Sequence, residues 1–441
     1  MTANLAPGGH DVSTEDRGVL RFLTCGSVDD GKSTLIGRLL YDTKALLDDT
    51  LATLERNAQR RGLSAVDLSL LTDGLVAERE QGITIDVAYR YFATARRKFI
   101  IADSPGHVQY TRNMFTAAST ADLAVLLVDA RKGLLAQTRR HATIAGLLGV
   151  RHLVVAVNKM DQVDYSRARF EEIVADFAAW RERQPGLHVR VDALPLSALE
   201  GANVVDRDAR LAWFTGPTLI ELLEQAPAQE SDPLAPLRLP VQWVCRPAQS
   251  DFRGYAGRIE SGSVRVGDEV LAFPSGRRSH VLSLAIGGQE RQSAVVGESI
   301  LLTLADDIDI SRGDLLAHPG FDAPQPSRDF AATVCWLSQQ PLDPRREYLL
   351  RQGTRETRVR ISAVMARLDV ETLQWQADAA PVAANDLVQL RLGTQNPVAA
   401  DPYRDFRATG SFILIDPSAN DTVAAGMIGE RQIPAAALPA R

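Results

Sequence analysis

The sequence predicts an α/β domain with a mainly parallel, doubly wound sheet, followed by two small β-barrel domains. From Leu20 to about Ala226, short apolar runs alternate with helix-like stretches, the pattern of parallel strands joined by helical crossovers. From Leu239 onward, short β-like runs separated by glycine turns follow instead, as in small barrels and sandwiches. At 441 residues the chain also exceeds the size of one hydrophobic core, so we expect two or three domains.

Each element of this prediction is a run of apolar or β-branched residues. In the first domain the runs are Leu20–Cys25, Val87–Phe92, Lys98–Ala102, Leu123–Asp129, Leu153–Asn158 and Asp192–Leu196. In the second block they are Leu239–Cys245, Tyr255–Ser261, Asp268–Phe273, His280–Ala285 and Ser299–Leu304. In the third they are Ala331–Leu337, Glu347–Arg351, Arg355–Met365, Leu387–Leu392 and Phe406–Ile415. Ligands of an open α/β sheet bind at the carboxyl ends of its strands, so motifs that follow the first six runs are the candidate site.

Proline-rich breaks divide the blocks. Four prolines between Pro227 and Pro240 mark a linker, and a second break runs from Pro319 to Pro326. The predicted divisions are a flexible leader at 1–17, a nucleotide-binding domain at 18–228, a linker at 229–237, barrels at 238–322 and 327–432, and a flexible tail at 433–441.

Composition narrows the class of protein. The formal charge of −6 argues against a general basic surface for nucleic acid. The three cysteines, Cys25, Cys245 and Cys335, are far apart, as expected of buried thiols in a reducing compartment. The first 18 residues contain no apolar signal core, and no run of 18 apolar residues occurs. We therefore expect a cytoplasmic protein with no membrane or nucleic-acid partner.

Residues 26–33 read Gly-Ser-Val-Asp-Asp-Gly-Lys-Ser and fit G-x-x-x-x-G-K-[ST], between a strand-like and a helix-like run. A chance glycine turn is the alternative interpretation. Backbone N–H groups of such a loop and the helix N-terminus bind phosphate. Lys32 is expected to reach the β- and γ-phosphates and Ser33 to ligate Mg²⁺. The predicted phosphate-binding residues here are Gly26, Ser27, Val28, Asp29, Asp30, Gly31, Lys32, Ser33 and Thr34. Asp29 is interpreted either as a solvated carboxylate or as a helper in binding a monovalent cation.

Two further motifs suit the γ-phosphate. Asp103-Ser104-Pro105-Gly106 follows a strand-like run, so Asp103 is expected to hold Mg²⁺ through water and Gly106 to meet the γ-phosphate. Thr84, in Gly82-Ile83-Thr84-Ile85, is interpreted as a switch residue for Mg²⁺ and the γ-phosphate, or as an ordinary strand residue. His107 is either a solvated loop histidine or the residue that positions the attacking water. The predicted phosphate-binding residues here are Asp103, Ser104, Pro105, Gly106 and His107, and the predicted catalytic residues are His107, Lys32 and Thr84.

A fourth motif, Asn158-Lys159-Met160-Asp161, is predicted to select the base. A carboxylate at Asp161 accepts hydrogen bonds from the N1–H and 2-amino groups of guanine, which adenine lacks. The sequence Ser197-Ala198-Leu199 follows the last strand-like run and can place a backbone N–H near the guanine O6. The α/β domain is therefore predicted to be a P-loop GTPase domain that binds GTP and Mg²⁺.

With these motifs in order, the chain resembles the translation-factor class of GTPases, the relatives of elongation factor Tu and elongation factor 1-alpha. It is most similar to the large, GTPase subunits of bacterial heterodimeric sulfate adenylyltransferase. The resemblance spans roughly residues 18 to 430 and rests on these stretches: 26–33, Leu35–Asp42, Asp73–Leu75, Glu78–Asp86, Ala88–Phe92, Gln109–Met114, Gly410–Asp416 and Ala425–Ile428. Ser27 departs from the histidine usual in translation factors but agrees with the sulfurylase group. Ser104 replaces a usual threonine or alanine, a mild change.

The resemblance implies a heterodimer that forms adenosine 5′-phosphosulfate and pyrophosphate from ATP and sulfate. Adenylyl transfer would occur on the small catalytic subunit, and this chain would hydrolyse GTP to drive it. Two alternatives stay open: a translation factor that delivers aminoacyl-tRNA, and a regulatory GTPase with an unrelated partner. Arg253, Arg258 and Arg277 are interpreted as solvated barrel surface or as anion contacts.

Overall fold

The computed structural model describes two compact units, Met1–Gln229 and Glu230–Arg441. The described residues are 18–45, 68, 87–104, 111–184, 187–227, 232–248, 252–320, 323–369, 372–377 and 380–429. Thr84, Pro105, Gly106 and His107 lie outside them. Within the described residues, no helix has the length and apolar character needed to span a bilayer.

The first unit contains a six-stranded sheet in the order β2-β3-β1-β4-β5-β6. Its strands are β1 (Val19–Gly26), β2 (Ala88–Ala93), β3 (Lys98–Asp103), β4 (Leu123–Asp129), β5 (His152–Asn158) and β6 (Arg190–Pro195). Neighbouring strands are parallel except β2, which pairs antiparallel with β3 at one edge. The predicted fold class, a mainly parallel α/β domain, is confirmed.

Helices follow most strands of this sheet. They are α1 (Lys32–Asp42), α2 (Thr111–Ser119), α3 (Ala136–Leu147), α4 (Arg167–Glu182) and α5 (Leu219–Gln225). Every residue of β4 and β5 is buried, which explains their continuous apolar sequences, because strands covered on both faces cannot alternate with polar residues. The α1 residues Leu35, Ile36 and Leu39 are fully buried in the same core. This packing fixes the position from which α1 and the preceding loop begin.

The second unit begins with an eight-stranded sheet in the order β7-β16-β11-β12-β15-β9-β8, with β13 paired to β12. Its strands are β7 (Arg238–Pro240), β8 (Trp243–Cys245), β9 (Gly254–Arg258), β11 (Glu269–Phe273), β12 (Arg277–Ile286), β13 (Gln289–Glu290), β15 (Ser299–Leu304) and β16 (Leu315–Ala317). A separate short pair consists of β10 (Ser263–Arg265) and β14 (Ser293–Val295). A bridge between Arg238 and Ser261 closes the larger sheet into a barrel.

The last sheet has the order β18-β22-β23-β17-β21-β19-β20, and pairing of β18 with β19 closes a second barrel. Its strands are β17 (Pro326–Trp336), β18 (Glu347–Gln352), β19 (Arg355–Leu368), β20 (Trp375–Gln376), β21 (Leu387–Ala399), β22 (Ser411–Asp416) and β23 (Asp421–Ile428). The predicted strand Phe406–Ile415 is wrong over its first half, where Gly410 donates to the carbonyl of Phe406 in a turn. β23 was not predicted, although it pairs with β22 along its length.

Candidate nucleotide-binding site

The predicted motifs leave the sheet at its carboxyl edge. In register, Thr24 of β1 lies beside Asp103 of β3, and Asp129 of β4 lies beside Asn158 of β5. Parallel strands end at the same edge, so the phosphate loop, the start of Asp-Ser-Pro-Gly and Asn-Lys-Met-Asp are brought together.

The phosphate loop turns from β1 into α1 with three left-handed residues. They are Asp29, with φ 65°, Gly31, with φ 95°, and Gly26, with φ 149°. A Cβ at Gly31 would lie 2.4 Å from Asn158 Nδ2, and one at Gly26 would lie 2.7 Å from a carbonyl oxygen of β4. Both glycines are therefore required by close approach as well as by backbone conformation. The loop leads directly into the N-terminus of α1. The first N–H groups of this helix have no acceptor within the helix and can donate to a ligand.

Lys32 is buried inside this loop. Its ammonium donates to the carbonyls of Gly26 at 3.1 Å and Ser27 at 2.8 Å. Burial lowers the pKa of Lys32, while the carboxylates of Asp103 and Asp30 oppose that shift. Asp30 is also buried, and its Oδ2 accepts the Ser27 N–H at 2.6 Å. Neutral carbonyls thus hold the cation without cancelling its charge.

The start of the Asp-Ser-Pro-Gly motif is fixed to β1. Asp103 accepts a hydrogen bond from the Thr24 hydroxyl at 3.1 Å, and the Ser104 hydroxyl donates to the Thr24 carbonyl at 2.9 Å. Ser104 is fully buried, so its side chain has a partner that alanine would not provide. Compared with alanine, Ser104 therefore adds a hydrogen bond at the point where β3 ends.

Asn158 connects the base-selecting motif to two other loops. Its Nδ2 donates to the Asp30 carbonyl at 2.8 Å, and its Oδ1 accepts from the Ala198 N–H at 2.9 Å. The Ser197 hydroxyl donates to Asp161 Oδ1 at 2.6 Å, which orients that carboxylate. The next predicted residue, Leu199, is 62% exposed. Hydrogen bonds thus link Asn158 to Ala198 and Ser197 to Asp161, whereas Met160 is completely buried.

Sequence reasoning missed the residue that holds Lys159. Lys159 has a left-handed backbone, with φ 62°, and its ammonium lies 3.1 Å from Asp129 Oδ2. Arg131 also binds this buried carboxylate, through Nε at 3.0 Å and Nη2 at 2.6 Å. Burial raises the pKa of Asp129, but hydrogen bonds from Arg131 and Lys159 outweigh it, so the net pKa lies well below its usual range. The signal was a carboxylate at the end of a buried strand, the position that also identified Asp103.

A second missed residue is His141, on the second turn of α3, the helix that follows β4. It is buried, and its Nδ1 accepts the Gly26 N–H at 3.1 Å. Burial, with Lys32 and Arg140 nearby, lowers the pKa of His141 to about 3. No local sequence pattern distinguishes it from an ordinary core histidine.

Comparisons with known proteins agree with this geometry. Residues 17–229 match the family model described as the elongation factor Tu GTP binding domain, and residues 329–429 match the GTP-eEF1A C-terminal domain-like model. The first unit is thus a GTP-binding domain, as its motifs predict.

Relatives match nearly the whole chain. Sulfate adenylyltransferase subunit 1 of Salmonella typhimurium is 50% identical over 95% of this chain and 87% of its own length. The chain belongs to the sulfate adenylyltransferase subunit 1 family. A second member of this family, from Vibrio vulnificus, is 49% identical over 97% of this chain and 90% of its own length. In the crystal structure of sup35 complexed with GMPPNP, the match covers 95% of this chain and 95% of that chain at 26% identity, with a TM-score of 0.42.

Family membership confirms two predictions: the resemblance, and an enzyme subunit that carries a GTPase domain. The name "subunit 1" says that these relatives work with at least one other subunit. The alternative of a translation factor is not favoured by relatives of this name.

Proposed function

We propose that this chain is the GTP-hydrolysing subunit of a sulfate adenylyltransferase and that it couples hydrolysis to adenylyl transfer on a smaller partner subunit. The observation that carries this proposal is the connected edge of the sheet, where phosphate-loop and guanine-loop residues contact one another through Asn158. The 50% identity to sulfate adenylyltransferase subunit 1 supplies the reaction.

In this proposal the residues of the edge have separate roles. The loop N–H groups and Lys32 neutralise the negative charge that develops on the phosphates as water attacks the γ-phosphorus, a stabilisation that is large in a site of low dielectric constant. Asp161 accepts the guanine N1–H and amino group. Asn158 keeps the two loops at a fixed distance. Gly106, Thr84 and His107, which lie outside the described residues, retain their predicted roles at the γ-phosphate and the attacking water.

The donor set at this edge suits Mg²⁺. Ser33 supplies a hydroxyl in the first turn of α1, and Asp103 supplies a carboxylate at the end of β3. Hydroxyl and carboxylate oxygens are hard ligands of the type that Mg²⁺ prefers. Ser33 would bind the ion directly and Asp103 through water, with Thr84 as a third ligand. Bound there, Mg²⁺ would neutralise charge on the β- and γ-phosphates.

The partner reaction explains why hydrolysis is needed. Transfer of AMP from ATP to sulfate releases pyrophosphate and forms a mixed phosphoric–sulfuric anhydride, which is strongly uphill. GTP hydrolysis drives it only if the nucleotide state changes the conformation of segments that contact the partner. The proposed segments are those around Thr84 and Gly106–Met114.

Reconstitution tests the proposal. We would mix this chain with the candidate small subunit, supply ATP and sulfate with and without GTP, and measure adenylyl sulfate and phosphate release together. We expect GTP to raise product formation at least tenfold, and Lys32→Ala to abolish this increase because the phosphates lose their main cation.

Lys98→Ala is the matched control. Lys98 is an exposed lysine at the start of β3, the opposite edge of the same sheet, so this variant is expected to behave as wild type. GTP hydrolysis without adenylyl sulfate formation in any pairing would contradict the coupled function.

A further inference from the structure

We infer that His141 is a positioning residue for the phosphate loop: it accepts the Gly26 N–H and thereby fixes the carbonyl that holds Lys32. This inference rests on the proposed GTP hydrolysis and adds a residue that no motif contains. Gly26 is the last residue of β1 and the first of the loop.

Gly26 is held on three sides. It pairs with Leu127 of β4, and a Cβ would clash with the Leu127 carbonyl. Its N–H donates to His141 Nδ1 at 3.1 Å, and its carbonyl accepts from Lys32 Nζ at 3.1 Å. The acceptor for the Gly26 N–H is thus a side chain of α3 and not a carbonyl of a neighbouring strand. The direction of the Gly26 N–H therefore depends on an imidazole from another element.

The contact requires one form of the ring. A backbone N–H can only donate, so Nδ1 carries a lone pair and the single proton of the neutral ring is on Nε2. Nε2 faces the amide of Gln137, one helical turn earlier: Gln137 Nε2 lies 2.8 Å from it, while Gln137 Oε1 accepts from Arg140 Nη1 at 3.0 Å. The Gln137 oxygen accepts the Nε2 proton when that amide is rotated by 180°, which exchanges its nitrogen and oxygen. Burial and the cations Lys32 and Arg140 keep the ring neutral. His141 is thus an uncharged acceptor bonded to Gly26, the residue whose carbonyl accepts from Lys32.

Removing the acceptor leaves the Gly26 N–H buried without a hydrogen-bond partner, which costs free energy. Loop conformations in which this N–H reaches water are then favoured. In those conformations the Gly26 carbonyl turns away from Lys32. We expect His141→Phe, which keeps a ring but has no acceptor, to weaken affinity for both GTP and GDP about tenfold, the factor given by 1.4 kcal/mol. We expect the KM for GTP to rise by a similar factor, with a smaller change in kcat.

Rescue distinguishes positioning from packing. His141→Asn puts an amide oxygen near the place of Nδ1 and should recover most of the affinity, although it fills the cavity less well than phenylalanine. The matched control is His152→Leu, which removes another buried histidine, bonded to Asp192 at 2.7 Å at the far end of β5. That variant should lower the melting temperature without changing nucleotide affinity.

The measurements are nucleotide titration with a fluorescent GDP, GTPase kinetics and thermal unfolding of the full chain. In addition, ¹⁵N spectra of histidine-labelled protein should show the Nε2–H tautomer for His141, and amide exchange at Gly26 should accelerate in His141→Phe. An unchanged nucleotide Kd in folded His141→Phe, or an Nδ1–H tautomer, would overturn the inference. Wild-type protein that bound no GTP would instead contradict the proposed function, since the tautomer and the amide exchange are read without nucleotide.

Discussion

The carboxyl edge of the first unit's sheet, here called the nucleotide edge, and the junction between the two barrels of the second unit both bury cationic side chains. The two regions differ in the groups that accept hydrogen bonds from these cations. At the nucleotide edge, Lys32 is held by two backbone carbonyls. At the junction, Arg238 binds the Asp401 carboxylate through Nε at 2.8 Å and Nη2 at 3.0 Å. Carbonyl partners leave a positive charge for a ligand, whereas a bidentate carboxylate cancels it. The first arrangement serves binding and the second serves the fold.

The junction is satisfied on every side. The Arg238 guanidinium stacks 4.1 Å from the Phe406 ring centroid and donates to the Leu237 carbonyl. Asp401 accepts from the Thr409 hydroxyl at 2.6 Å. Arg238 and Asp401 are 1% and 3% exposed, so neither has water as an alternative partner. The pair joins the first strand of one barrel to the chain after β21 of the other.

Breaking this pair should have the largest effect on stability. Asp401→Ala leaves a buried guanidinium without a counter-charge, which costs about 3–5 kcal/mol of unfolding free energy. Urea unfolding of the full chain measures it, and GTP affinity should not change. Arg238→Met with Asp401→Leu is the control, because removing both charges should recover much of the loss. A loss below about 1 kcal/mol in Asp401→Ala would contradict the contrast between the two regions.

A substitution at the nucleotide edge should change the affinity for GTP and leave the free energy of unfolding unchanged. Asp161→Asn exchanges an acceptor oxygen for an amide donor opposite the guanine N1–H and amino group, so we expect GTP binding to lose about 1.5–3 kcal/mol. The same amide can donate to a 2-oxo group, so xanthosine triphosphate should bind better than GTP. Competition for a fluorescent nucleotide measures both. Asp164→Asn, an exposed neighbour, is the matched control. Retained preference for GTP in Asp161→Asn would exclude Asp161 as the base-selecting residue.

The sequence alone predicted the nucleotide edge better than the barrels. The strands β1, β4 and β5, and the motifs that follow them, could be predicted because a phosphate loop needs local residue types at fixed spacing. Thr24, Asp129 and His141 could not, because each acts on a motif from a strand or helix distant in the sequence. Their importance depends on register: Thr24 contacts Asp103 only because β1 and β3 pair in parallel.

In the barrels, local pattern failed where turns and strands have similar composition. The run from Phe406 to Gly410 contains an aromatic residue and a threonine, yet it forms the turn that carries Phe406 onto Arg238. β23 was missed because Ala425 and Gly426 weaken its strand pattern. Gly426 is required there, since a Cβ would lie 2.2 Å from the Phe412 ring. Long-range packing, which a local pattern does not contain, decided both segments.

At the nucleotide edge, His141 should also make the free energy of unfolding depend on pH in the acidic range. Because the folded state holds the pKa of His141 at about 3 against 6.5 for an ordinary histidine, the unfolded chain binds one more proton between those values. Stability from this group is therefore complete above pH 6.5 and falls by about 1.4 kcal/mol per pH unit below it, until the folded pKa is reached. Unfolding free energies measured from pH 7.5 to 5 should show this slope, and His141→Asn should reduce it. An unchanged slope in that variant would mean that other groups, such as the buried His152, account for it.

The smallest effect on stability should come from breaking a solvent-exposed ion pair that has the same bidentate geometry as the buried pair of Arg238 and Asp401. Arg391 binds Asp329 through Nε at 2.7 Å and Nη2 at 3.1 Å, so it is as bidentate as Arg238 with Asp401. Both side chains are 41% or more exposed, and water replaces the partner that a substitution removes. Asp329→Ala should therefore leave the urea midpoint nearly unchanged, measured beside Asp401→Ala under the same conditions. Equal losses in the two variants would show that bidentate geometry, and not burial, gives the barrel junction its stability.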